Sequence, residues 1–188
     1  RVVDINPILW KTILYLFVLP FRPKRSAALY SRIWDGKTFP LLSITKNFTD
    51  RVRTFLTSPK VEVNHAFLLS TPRVSEVWDD WEKDPNPATK LKVIPMFPQY
   101  SESTIASGLD GLAHVYKNRV KIPDISVVTN FHTTKAFIDN SVLQIDKYLE
   151  KFKQEGVQLD RLLLTFHGIQ KRRVVQKEDV YYKHCYET

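Results

Sequence analysis

One cysteine, Cys185, stands in 188 residues. No disulfide can close within such a chain, and zinc or iron–sulfur sites built on four cysteines are excluded. Glycine is scarce as well, at five. Neither common glycine-rich phosphate loop is present, which weighs against an ordinary dinucleotide or nucleoside-triphosphate site. Long hydrophobic runs are also missing. The longest, from Ile8 to Phe21, is interrupted by Lys11 and closed by Pro20, Arg22 and Pro23. It is shorter than the roughly 20 apolar residues that a membrane span needs. It also lacks the small-residue cleavage site of a signal peptide. An apolar helix with aromatic residues and a basic flank could lie on a membrane surface, or be buried in a core. Cysteine usage gives no sign of an oxidising compartment, so the expected location is cytoplasmic, peripheral to the membrane at most.

What is present suits a globular fold. Hydrophobic residues make up 43% and aromatic residues 12%, enough to bury a core. Twenty-eight basic against 20 acidic residues give a formal charge of +8 at pH 7. Such a surface favours anionic partners, whether nucleic acid, an acidic membrane or a ligand bearing carboxylates, but it also describes a merely soluble basic protein. Aromatic residues set for base stacking on a sheet face are not evident, so nucleic acid is not expected as a partner.

Periodicity predicts alternating strands and helices. Pro7 opens a helix running to Leu19, and Ser26 caps a second that ends near Gly36. Thr45 or Asn47 caps a third, with Phe48, Val52, Phe55 and Leu56 on one face. Val61 to Leu69 reads as a strand, and Val74 to Glu82 as a helix with Val77, Trp78 and Trp81 inward. Leu91 to Ile94 and Ile125 to Val128 read as strands, with a helix from about Ser103 to Asn118 between them. Ile138, Val142, Ile145, Leu149 and Phe152 form an apolar stripe at steps of four and three, the mark of a helix that Gly156 closes. Leu159 to Phe166 carries a continuous apolar centre and reads as a strand buried on both faces. The alternation argues for a parallel sheet flanked by helices, whose ligands sit beyond the carboxyl ends of the strands.

Three stretches could carry chemistry. His167 follows the last apolar strand and precedes Gly168, which allows a sharp turn that aims the ring into the ligand crevice. An imidazole there could take a proton, ligate a metal or serve as a structural hydrogen-bonding group. The following Lys171-Arg172-Arg173 could grip a carboxylate or form a solvated loop. In Pro95-Met96-Phe97-Pro98-Gln99-Tyr100-Ser101, two prolines stiffen a loop of aromatic and hydroxyl groups. It could hold a flat apolar ligand, or Ser101 and Ser103 could simply cap the next helix. Phe21-Arg22-Pro23-Lys24-Arg25 could face an acidic lipid or ligand, or be an ordinary exposed turn. His65, His114, His132 and His184 suggest no conventional zinc spacing. Cys185 and His184 are adjacent, and neighbours on a helix face different ways, so a thiolate pair is not expected.

In one order from end to end, these stretches resemble the ferrochelatase family. Val2-Val3-Asp4-Ile5-Asn6-Pro7 is similar to its "VIDIP". Arg22 to Ala27 and Tyr30 to Trp34 are similar to its "R-x-K-S-A-x-x-Y-x-x-I-W". Pro40-Leu41-Leu42 resembles "SPLL". Phe97 to Thr104 resembles "YPQYSxST", the most specific of the set. His167-Gly168-Ile169 resembles "HGLP". Asp179, Tyr181, Cys185 and Thr188 fall where "GDPYxxQCxxT" would lie. The resemblance implies two Rossmann-like lobes about a porphyrin cleft. Residues 1–130 would be the first lobe without its first strand, and residues 131–188 the start of the second. The first strand and the C-terminal half, with a glutamate facing the histidine, would then lie outside this sequence, and these residues alone would be expected to be inactive.

It implies an enzyme of haem biosynthesis that inserts Fe2+, its substrate, into protoporphyrin IX or coproporphyrin III. His167 would be the pyrrole proton acceptor or metal ligand. Phe97, Tyr100, Ser101, Arg22 and the position of Leu68 would line the porphyrin site. Departures exist. Leu68 stands where the family often has arginine, which motivates an alternative reading as a non-catalytic porphyrin or haem binder. Glu102 stands where some members carry a cluster cysteine, so no iron–sulfur cluster is expected through that position. Gln170 and Val180 replace prolines of the family pattern.

Overall fold

The computed structural model describes residues 6–176 and 178–188. Residues Val2 to Ile5, the start of the first resemblance, lie outside them. The chain is mixed α/β, with a small parallel sheet and helices around it, and it divides into two compact units, Arg1–Asp84 and Pro85–Thr188.

The first unit begins with Asn6, whose side chain accepts from the Ile8 N–H at 2.9 Å and caps α1, Pro7–Ile13. The expected stop at Leu19 does not occur. A π-helical turn, Leu14–Val18, leads directly into α2, Leu19–Tyr30. Proline removes a donor and clashes with the carbonyl four residues back. Here the Leu19 N–H reaches back five residues to the Leu14 carbonyl, and the widened turn lets Pro20 enter at the start of α2. The described side chains of α1, the π turn and α2 include none that is buried. Beyond α2, Asp35 accepts from the N–H groups of Lys37 at 2.8 Å and Thr38 at 2.6 Å, with Gly36 at φ 89° between them. Those donors, Thr38 first, hold the Asp35 carboxyl below its ordinary range.

Helix α3, Pro40–Phe55, starts earlier than a Thr45 or Asn47 cap would set it. Proline at its first position is preorganised for a helix. Thr45 instead donates to the Leu41 carbonyl at 2.7 Å inside the helix. The expected strand over residues 61–69 is reduced to one bridge, Phe67 to Arg73. Arg53 explains part of this. Its guanidinium donates to the Val63 carbonyl at 2.8 Å and to Asn64 at 3.0 Å, occupying the segment with side-chain contacts. Helix α4, Val74–Lys83, forms as its pattern predicts, with Trp78 buried against Trp81 at 5.3 Å.

In the second unit, β1, Lys90–Val93, and β2, Asp124–Val127, pair in parallel, Leu91 opposite Ile125. Between them a π-helical turn, Glu102–Ala106, runs into α5, Ser107–Tyr116. Ile105, Ala106 and Leu112 are the buried apolar side chains there. Helix α6, Lys135–Gln154, carries the apolar stripe and ends at Gly156, φ 70°. Residues 159–166 form no strand, contrary to the pattern. Their backbone finds no ladder partner among the described residues, and Leu163 is 83% exposed. They run along α6 instead, making an apolar groove of about 400 Å³ with Ile145, Leu149 and Phe152. Short helices α7, Lys171–Gln176, and α8, Tyr181–Glu187, complete the unit.

Candidate functional site

The loop that leaves β1 carries Phe97, Tyr100 and Ser101, and the loop that leaves β2 carries His132. Both stand beyond carboxyl ends of the parallel pair, where open α/β sheets bind their ligands. The Phe131 N–H donates to the Pro98 carbonyl at 3.0 Å and ties the two loops together.

Helix α8 and the residues before it clasp the β1 loop at successive points. Gln99 Nε2 donates to Thr188 Oγ1 at 3.0 Å, and the Tyr100 N–H donates to His184 Nδ1 at 3.2 Å. The buried Asp179 carboxylate accepts from the Glu102 N–H at 2.9 Å, from Ser101 Oγ at 3.3 Å and from the Tyr181 N–H at 3.0 Å. Arg173, also buried, reaches Glu102 Oε2 at 2.7 Å. Ser101, 1% exposed, caps the helical turn by accepting from the Ser103 N–H at 3.2 Å. The capping role considered for Ser101 is therefore realised.

A second cluster lies at the far end of α8. His132, buried on the β2 loop, sets Nε2 2.9 Å from Glu187 Oε2. Its ring stacks on His184, with centroids 4.0 Å apart and planes 22° from parallel. His132 Nδ1 is buried with no hydrogen-bond partner. Burial, then His132, lowers the His184 pKa below its ordinary 6.5. The His132 hydrogen bond lowers that of Glu187. His184 and Glu187 stand three residues apart, an H-x-x-E spacing that corrects the expectation of no such pattern among these histidines. The side-chain nitrogen and carboxylate oxygen atoms of His132, His184 and Glu187 lie within 4.8 Å of one another, and His184 Nδ1 is engaged by the Tyr100 N–H.

His167 is exposed on the segment before α7, not at the end of a buried strand. Gly168 has no positive φ, and a Cβ there would meet nothing, so no glycine-specific turn aims the ring. The His167 N–H faces the Tyr181 hydroxyl, which also pairs with the Cys185 thiol. Burial raises both the Tyr181 and Cys185 pKa values, so Cys185 stays a thiol near neutrality. Phe97 is exposed, and Tyr100 is half-buried beside His184. Arg22 and Leu68 are exposed in the other unit. The Lys171–Arg173 run is split: Lys171 and Arg172 are exposed, while Arg173 turns inward.

A ferrochelatase family model matches residues 1–188. The chain is 33% identical over 191 residues to a ferrochelatase of Idiomarina loihiensis, covering 100% of this chain and 50% of that protein. It is 33% identical over 192 residues to a ferrochelatase of Acinetobacter baylyi, covering 100% and 54%. It is 32% identical over 190 residues to a coproporphyrin III ferrochelatase of Streptococcus mutans, covering 100% and 56%. The chain thus spans about half the length of the curated relatives it matches. No solved structure gives a significant match. A family match that runs over residues 1–188 makes this chain a member of the ferrochelatase family.

Proposed function

We propose that the protein inserts ferrous iron into a porphyrin, with His167 as pyrrole proton acceptor or iron ligand. One observation carries the reading. The stretch from Phe97 to Thr104, whose resemblance to the family is the most specific, follows the carboxyl end of β1 and is held by the buried side chains of Asp179 and Arg173. Rigid support of this kind is what a flat ligand's binding wall requires. In the reaction two pyrrole protons leave as Fe2+ enters the ring. Imidazole is suited to accept protons at neutral pH, and the His167 ring is open to an incoming ligand. Phe97 and Tyr100 supply aromatic surface for the macrocycle. Ser101 is inward, so its part is to shape the loop. In this reading residues 1–130 and 131–188 belong to two lobes about the cleft. The exposed apolar side chains of α1 and α2, beside Arg22, Lys24 and Arg25, rest on an anionic membrane surface from the cytoplasmic side. No helix among the described residues is long and apolar enough to cross a membrane.

A second reading, a porphyrin or haem binder without turnover, rests on Leu68. One experiment separates the two. Fe2+ insertion is followed with protoporphyrin IX and with coproporphyrin III for the full-length protein and for its His167→Ala variant. Loss of about 100-fold or more in the variant, with an unchanged melting curve, supports the proposal. Full activity in the variant rejects the role of His167. A Soret shift with no turnover in the parent protein favours the binder.

A further inference from the structure

An imidazole nitrogen accepts a hydrogen bond only while it carries no proton. His184 Nδ1 accepts from the Tyr100 N–H. The neutral ring therefore keeps its single proton on Nε2. A second proton must go to Nδ1, where it would face the Tyr100 N–H, donor against donor. We propose that His184 is a proton-operated positioning residue, which holds the 98–101 loop on α8 while neutral and releases it at Tyr100 when protonated.

The surroundings fit such a role. The ring of His184 lies flat on that of buried His132, so charge on one is felt closely by the other. His132 and Lys183 oppose a proton on His184, while Glu187 and Asp179 favour it. Burial outweighs each of these, and the balance favours the neutral ring, which sets the release on the acid side of neutrality. The release is also local. The bonds from Gln99 to Thr188, from the Glu102 N–H to Asp179 and from Phe131 to Pro98 use no imidazole, so they persist. Acid then loosens the aromatic position of the loop without detaching α8. The inference stands apart from the proposed porphyrin chemistry, because its test reads amide exchange and ring protonation rather than turnover.

The test is hydrogen–deuterium exchange of the peptide containing Tyr100 between pH 5 and pH 8, corrected for intrinsic exchange. We expect opening of that amide to rise three- to tenfold in acid, roughly the factor for losing one hydrogen bond. His184→Gln should abolish the pH dependence, since a side-chain amide oxygen can accept from Tyr100 without titrating. A flat profile in the parent protein, or an unchanged profile in His184→Gln, overturns the proposal. Ring 15N shifts of the parent protein provide a measurement that needs no variant. At pH 8 they should report the proton on Nε2, and a proton on Nδ1 would overturn the assignment.

Discussion

Arg173 and Glu102 meet at 2.7 Å across 71 positions of sequence, with the guanidinium buried and the carboxylate partly open to solvent. The pair joins α7 to the first turn of the helical segment that follows the Tyr100 loop. A buried ion pair adds little relative to apolar residues of the same shape, yet breaking one is costly because a charge is left without its partner.

Arg173→Ala should therefore destabilise the fold by about 3 kcal/mol, the lower end for a broken buried pair, since Glu102 retains some solvent. Urea midpoints at constant slope measure it. A loss under about 1 kcal/mol would mean that the pair is replaced easily by water.

Ile105 and Leu163 make the opposite comparison. Ile105 is 0% exposed, and Ile105→Ala should cost about 2–4 kcal/mol through lost burial and the cavity left behind. Leu163 is 83% exposed, and Leu163→Ala should stay within about 0.5 kcal/mol in this chain. Paired thermal or urea denaturation of the two variants checks both. Equal costs would show that residues 159–166 are buried against something in solution.

Stability should fall in acid. His184 has a lowered pKa, so between its folded value and its ordinary 6.5 the unfolded chain binds the extra proton. Its contribution is complete above about pH 6.5 and declines as pH drops toward the folded value. Glu187, lowered from 4.5 chiefly by His132, adds a further loss as pH falls below that value. Urea midpoints stepped from pH 7.5 to pH 4 should decline in both windows. His184→Gln should flatten the upper one and leave the lower one in place.

Much of the architecture could be read directly. The α6 stripe and the inward Trp78 of α4 are local patterns, and local patterns survive whatever surrounds them. The parallel β1–β2 pair also followed from alternation. Residues 61–69 and 159–166 did not follow, because an apolar run states only that burial is wanted. Whether a ladder forms depends on a partner elsewhere in space. The site shows the same divide. The Tyr100 loop was visible as a motif, but the burial of Arg173 depends on distant Glu102, and no spacing rule announces it. His184 and Glu187 were within reach of a spacing rule, and only His132, from a different loop, gives their pairing its meaning.

The π turn at Leu14–Val18 sets a phase as well as a path. An α-helix advances about 100° per residue. Deleting one residue from the turn would restore regular winding and rotate α1 by about that angle against α2. The side chains of α1, Ile8 among them, would then point in a different direction relative to those of α2. Segment length here encodes an angle, so single-residue insertions and deletions between Ile13 and Pro20 should be felt more sharply than substitutions of the side chains themselves.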